Sequence, residues 1–381
     1  MKYTKSKRAD KKIESDLEII KQIITKKINP ISIILFGGFG KGEGSFEIVN
    51  NKVIPLNDYD LYVITKEKIK ENFLEKIGLE CSKAIGRGGL EFVEHPSERY
   101  DKDKFFHVDI RCLTISELKK LLPTQRTAEL KYAAVIYGKD IRKEIPKVNL
   151  PVSEAIRLLF NKMDHLLLAH NNTKEIKTIY AMKGFLDSCT ALLIFHNRFK
   201  PSYSERAKEF YKLKNIPKEL KRKVRWATNF KFYIKFSTIT NKCAEKLWQD
   251  SCKWVGWTFR YIITRYLNVT TWDWKRIARV IYKKLPYVYF TPYLPSKYFF
   301  PLQYILTIKF FFEGIKNKEI FLPVLFSWRD AGIKVAIPLM LYLYNEKKEA
   351  KRYLKKITLK TEPLKERILK IYSIYYLQKL I

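Results

Sequence analysis
Two aspartates, Asp58 and Asp60, stand one residue apart in the stretch Asn57-Asp58-Tyr59-Asp60-Leu61-Tyr62-Val63. On a strand, residues i and i+2 point to the same face, so both carboxylates are expected on one side. Two carboxylates that close are costly unless cations bridge them. Magnesium, or manganese, with oxygen ligands is the chemical match. Upstream, the apolar run Ile31–Phe36 ends on Gly37 and Gly38 and continues as Phe39-Gly40-Lys41-Gly42-Glu43-Gly44-Ser45. Glycines let backbone N–H groups come close to a phosphate, and a following helix start adds its positive end. Gly37, Gly38 and Gly42 are the candidate backbone contacts to a nucleoside triphosphate, with Lys41 and Ser45 as side-chain contacts. Glu43 is open between supporting the loop and lying near the acceptor. A third carboxylate, Asp109, alternates with Val108 and Ile110 and completes the set. Glu91 and Glu94 are its rivals.

Other phosphate-binding loops fail on spacing. A Walker A loop needs Ser or Thr directly after Gly-Lys, and Gly42 follows Lys41. The dinucleotide fingerprint needs a glycine three residues after its second glycine; those positions hold Glu43 or Ser45. The five histidines show no metal spacing: His165 and His170 are five apart, so they do not share a zinc-binding helix face.

The elements that must position these residues follow from periodicity. Residues 11–28 read as a helix stopped by Asn29-Pro30, and residues 31–36 as a short strand. Phe46–Leu56 reads as a hairpin turning at Asn50-Asn51, and Asp58–Thr65 as a strand. Lys66–Ile85 carries a helical stripe. Leu90–Glu94 and Phe105–Leu113 read as strands, and Thr114–Leu122 as a short helix closed by Pro123. From Ser153, a candidate N-cap, Ile156, Leu159, Phe160, Met163, Leu166 and Leu167 mark one face of a long helix. Ile179, Met182, Leu186, Cys189 and Leu193 mark a second. The expected fold class is an α/β (α+β) domain with a small mixed sheet, then a helical bundle and a mainly α C-terminal region. The expected boundaries are 1–145, 146–270 and 271–381.

Phe36-Gly37-Gly38, Asp58-Tyr59-Asp60 and Asp109 together resemble the signature of the polymerase β-type nucleotidyltransferase superfamily. That signature is a hydrophobic residue with Gly and Gly or Ser, then Asp–hydrophobic–Asp, then a later carboxylate on a strand. The resemblance covers about residues 20–145. In the superfamily roughly a dozen residues separate the first two motifs. Here 39–57 intervene, and the expected hairpin accounts for the excess. The segment Ala128–Ile141 resembles the end of such a catalytic domain. The following helices resemble the bundle of kanamycin-type and minimal nucleotidyltransferases. The resemblance implies transfer of a nucleoside monophosphate from an NTP to an acceptor hydroxyl, with pyrophosphate leaving. It implies Asp58, Asp60 and Asp109 as catalytic metal ligands for magnesium or manganese, and Lys183 and Arg206 as candidates to face the nucleotide.

The acceptor is less constrained. The net charge is +35, and residues 151–381 hold 45 Lys/Arg against 17 Asp/Glu. Such a field attracts polyanions. Lys221-Arg222-Lys223, Arg225-Trp226, Lys231-Phe232-Tyr233 and Lys235-Phe236 interleave cations with aromatics, and all seven Trp lie at or beyond 226. RNA is therefore the expected acceptor and partner. A small-molecule adenylyltransferase and a non-catalytic RNA-binding or regulatory protein on a transferase scaffold are the alternatives, with a peripheral membrane role for the aromatic stretch 285–312 behind them. Cys81, Cys112, Cys189, Cys243 and Cys252 form no CxxC, and the N-terminal stretch lacks an apolar signal region, so the expected location is cytoplasmic.

Overall fold
The computed structural model describes residues 1–87, 107–290, 308, 312, 331–358 and 360–373. Glu91, Glu94, the strand expected at Leu90–Glu94 and most of 285–312 lie outside the described residues.

The N-terminal part is a four-stranded mixed sheet. Helix α1 (Lys7–Lys27) leads into β1 (Ser32–Leu35), a one-turn helix α2 (Gly37–Gly40) and the hairpin β2 (Phe46–Val49) and β3 (Lys52–Pro55). Then come β4 (Tyr59–Thr65), α3 (Glu71–Ala84), β5 (Val108–Thr114), short helices α4 (Ile115–Lys119) and α5 (Gln125–Leu130), and β6 (Ala134–Gly138). The order is β5-β4-β1-β6, with β4 and β5 parallel and the other pairs antiparallel. Asn50 and Asn51, at φ 47° and 58°, make the hairpin turn where the sequence places it.

Strand alternation assigns the two faces. Ile33, Leu35, Leu61, Val63 and Ile110 pack under α1 and α3. Ile34, Tyr62 and Ile64 face the other way, against Leu118 and Leu130 of the short helices. Asp60 shares this second face with Tyr62 and Ile64. Thr114 caps α4 through a reciprocal box with Glu117, which begins that helix one residue later than expected.

The remainder is helical: α6 (Val152–Ala169), α7 (Lys174–Phe195), α8 (Tyr203–Lys212), α9 (Lys218–Phe232), α10 (Asn241–Tyr266), α11 (Trp274–Phe290), α12 (Ala331–Leu343), α13 (Lys347–Leu354) and α14 (Leu364–Tyr372). One hydrophobic core runs from Ala155 to Tyr372 through these helices. Helix α6 starts one residue before Ser153, with Pro151 in the N-cap place, and Ser153 is fully buried. Extended Pro151 fixes the entry, and the serine is carried into the first turn. Helix α7 is long and apolar enough to cross a membrane, but 83% of its apolar window is buried inside the protein, as befits the middle of a bundle. The hairpin packs against the helices. Leu56 and Ile54 meet Ile179, Ile234 and Phe236, and the Ile234 N–H donates to the Phe46 carbonyl at 3.2 Å.

Candidate active site
Parallel register places Asp60 directly beside Asp109. Asp58 lies one residue before β4, and its Oδ1 accepts the His107 N–H at 3.1 Å, at the mouth of β5. The ring Nδ1 of His107 lies 3.3 Å from the same oxygen. On the far side Asp109 Oδ2 accepts from Arg111 Nε at 3.2 Å. Each outer carboxylate thus leans on a neighbour while Asp60 stays between them. Among the described residues, no three His, Cys, Asp or Glu side chains converge closely enough to ligate one ion.

The electrostatics identify the shared problem. Burial, then Asp58, then Asp109 push the Asp60 carboxyl up to about 7. Burial also raises Asp58, against the pull of His107 and Lys183. Asp58 keeps 37% of its side-chain exposure and Asp109 34%, so solvent reaches the two outer carboxylates. Arg126, over the Phe36 ring at 5.7 Å, and Arg111 act favourably on Asp60. Lys183 on α7 faces Asp58 and Asp60; burial, and then Lys162, depress its ammonium against their attraction. Beside it Lys162 of α6 pairs with Asp187 at 3.0 Å.

The glycine turn closes over the same carboxylate. The Phe36 N–H donates to the Asp60 carbonyl at 2.8 Å, which joins the end of β1 to the pair. Gly37 sits at φ +71°, and a Cβ there would lie 2.6 Å from Asp60 Oδ2. A Cβ on Gly38 would lie 2.9 Å from Asn57 Oδ1, which accepts the Ser45 N–H at 2.6 Å. Both glycines are required by close approach, one of them also by its backbone angle.

Beyond Gly38 the loop turns toward the helices. Lys41 Nζ reaches Glu129 Oε2 at 2.5 Å and the Pro201 carbonyl at 3.2 Å. Glu129 also binds the Arg206 guanidinium, itself held by Thr190 and the carbonyls of Lys200 and Pro201. Burial alone would raise Glu129, but Lys41 and Arg206 hold it down at about 2. Glu43 caps α8: its oxygens accept from Ser202 Oγ, the Tyr203 and Ser204 N–H groups and Ser204 Oγ at 2.7 to 3.0 Å. That settles the role left open for Glu43, which supports the loop. Ser45 Oγ lies 3.2 Å from Lys231 Nζ. Gly37, Gly38, Asp58, Asp60, Asp109 and Lys183 therefore gather in one place. Lys41, Ser45 and Arg206 join the loop to the helices behind it, and Gly42, at φ +69°, turns the chain toward Lys2.

Part of the basic, aromatic stretch is engaged with the rest of the fold, while Arg222, Arg225, Tyr233 and Lys235 stay exposed. Lys221 Nζ binds the carbonyls of Tyr211 and Leu213 at the end of α8, Lys223 pairs with Asp250, and Arg225 lies over the Tyr211 ring. Trp226 stacks on Phe230, Trp274 stacks on Tyr344, and Trp248 donates to the Leu166 carbonyl.

No family model matches the chain, and no curated protein does. Among solved structures it is similar to a spectinomycin adenyltransferase from Enterococcus faecialis, determined with ATP and spectinomycin. The identity is 14% and the TM-score 0.37, over 64% of this chain and 98% of that one, a likeness too distant to bear on activity.

Proposed function
We propose that the protein is a nucleotidyltransferase that moves a nucleoside monophosphate from an NTP to an acceptor hydroxyl. The observation that carries this reading is Asp60 in register beside Asp109, with Asp58 at the strand entrance and the Gly37 backbone against the Asp60 carboxylate. The donor set suits a divalent cation, since it is all carboxylate and its members repel one another. As they stand the three carboxylates do not converge on one point. Asp58, Asp60 and Asp109 would hold magnesium or manganese once Asp58 turns from His107 and Asp109 from Arg111, and the cation would neutralise triphosphate charge and lower the pKa of the acceptor hydroxyl. The glycine turn offers backbone to the β- and γ-phosphates, and Lys183 offers a cation from the opposite wall. The acceptor hydroxyl gives up its proton to solvent, and its oxygen bonds to the α-phosphorus as the bond to the bridging oxygen breaks and pyrophosphate leaves. The protein's own contribution is positioning and charge. The catalytic unit is residues 1–145, with 146–270 packed beside it and the described residues beyond 270 sharing the helical core.

For the acceptor, we infer a small hydroxyl compound held between the carboxylates and α6–α7, in preference to RNA tracked along α9. Lys221, Lys223 and Arg225 already serve the fold. Incubation with each radiolabelled NTP, magnesium or manganese, total RNA and small-molecule pools tests both levels. Label in no product removes the transferase reading, and label in RNA reverses the choice of acceptor.

The glycine turn can be tested separately. The matching NTP with magnesium is expected to raise the melting temperature, since a ligand at 100 times its Kd adds about 2.7 kcal/mol. Gly38→Val drives a side chain into Asn57 and the Glu43 carbonyl, the latter 3.2 Å from the new Cβ, and should abolish that rise. A variant that keeps the full shift shows that the turn does not hold the triphosphate.

A further inference from the structure
Lys231, near the end of α9, is only 5% exposed and takes no part in the chemistry above. Its ammonium reaches the Glu43 carbonyl at 3.3 Å and Ser45 Oγ at 3.2 Å, and lies 4.9 Å from the centre of the Tyr203 ring. Lys41 lies against the same ring at 4.8 Å, and so does Arg206. Three cations therefore share a buried space with two carboxylates, Glu43 and Glu129. Both carboxylates are already spent, Glu129 on Lys41 and Arg206 and Glu43 on the start of α8. Among the described residues Lys231 forms no ion pair with a carboxylate, and it touches the loop through the Glu43 carbonyl and the Ser45 hydroxyl.

We propose that Lys231 is a positioning residue for the triphosphate: it fixes the far end of the glycine loop and keeps an uncompensated positive charge directly behind it. The proposal rests on the nucleotidyltransferase reading of the loop. A buried excess cation costs stability, and an anion arriving beside it would offset that cost. The groups facing Lys231 are Lys41 and Glu43 from the loop, Glu129 from α5, Lys183 from α7 and the Tyr203 phenol from α8, with Arg206 beyond. Burial, and then Lys41, push its ammonium down to about 7. An arriving anion favours the protonated form, so binding should draw a proton to this site and weaken as pH rises past neutrality.

The test uses inorganic tripolyphosphate with magnesium, which needs no base to be known, and measures affinity by calorimetry at pH 6.5 and pH 8.5. Three proteins are compared: wild type, Lys231→Met and Lys231→Arg. Asp60 titrates in the same range but is common to all three, so differences among them report position 231. Wild type should lose affinity with rising pH more steeply than Lys231→Arg, which keeps its charge throughout. Lys231→Met should bind about tenfold more weakly than wild type at pH 6.5 and no worse at pH 8.5 than at pH 6.5 beyond the change seen in the Arg variant. Its melting temperature at pH 6.5 should be equal or higher, because an uncompensated buried charge is gone. Binding by Lys231→Met within twofold of wild type at pH 6.5 overturns the proposal. So does an Arg variant that loses affinity in step with wild type. If wild type itself binds no tripolyphosphate, the transferase reading of the loop falls, and this proposal with it.

Discussion

Replacing Asp58 and Asp60 together by Asn is expected to reduce nucleotidyl transfer by at least about a hundredfold while leaving the fold at least as stable. The two effects have one origin. Asp60 is held up at about 7 by burial and by Asp58 and Asp109, so its ionised form is costly in the folded protein. Its folded pKa lies above the ordinary value of 3.8. Between those two values the folded state keeps a proton that the unfolded state gives up, so stability falls as pH rises through the window. Below it the penalty is absent, and above about pH 7 it is full. Asn at position 60 should therefore stabilise the metal-free protein at pH 8 and make little difference near pH 4. The gain should be about 1–2 kcal/mol, less than the full shift would give, because solvent reaches the two outer carboxylates. Urea melts at the two pH values, beside transfer assays with labelled NTP, measure both effects. A well-folded double variant that still transfers label removes these residues from the chemistry.

The clustering of the carboxylates was legible because its geometry is local. Asp58 and Asp60 share a face by strand alternation alone, and Gly37 and Gly38 end the preceding apolar run. The hairpin was legible for the same reason, since Asn50-Asn51 supplies two residues that tolerate positive φ. Asp109 required one further step, the inference that its strand lies beside β4, and the parallel register puts it opposite Asp60. What stayed hidden depends on long-range partners. Lys41 reads as a phosphate ligand until Glu129, 88 positions later, is seen to hold it. Glu43 has four bonds to residues about 160 positions away, and no spacing rule connects them. Arg126 and His107 carry no motif, and only the fold brings them to the aspartates.

Charge counting had the same weakness. A run such as Lys221-Arg222-Lys223 gives the sign of the field but not the use made of each side chain. Lys221 closes the carbonyl end of α8, where helix carbonyls lack partners and a cation is favourable. Lys223 neutralises Asp250, only 7% of whose side chain is exposed. The aromatics beside them stack on one another in the helical core or at its margin. A composition that suggests nucleic-acid binding is in good part the composition of a helix that must dock on its neighbours.

The junction between sheet and helices should show the largest stability effect of any single side chain considered. Glu129 is the only carboxylate in direct contact with Lys41 and Arg206 among the described residues, and all three are buried. Glu129→Leu leaves two cations facing each other in a space that excludes water. Breaking a buried pair in this way costs about 3–5 kcal/mol, well beyond what the lost contact itself contributes. The carboxyl is held down at about 2, below its ordinary value of 4.5, so its contribution is complete above about pH 4.5 and is lost as pH falls through about 2. The gap between wild type and Glu129→Leu should therefore be constant from pH 5 to 7 and narrow on acidification below pH 4.5. Adding Lys41→Met to Glu129→Leu removes one of the stranded cations. Arg206 then keeps its bonds to Thr190 and to the carbonyls of Lys200 and Pro201. The double variant should recover part of the loss, giving a coupling of about 1–3 kcal/mol between the two positions. Because Lys41 belongs to the glycine turn, both variants should also lose NTP-induced stabilisation, and the double variant should not regain it with its stability. A cost for Glu129→Leu no greater than that of an exposed glutamate, within about 0.5 kcal/mol, would show that the helices do not lean on this pair. The loop would then have to be held in place by Glu43, Lys231 and the Asn57 contact to the Ser45 N–H.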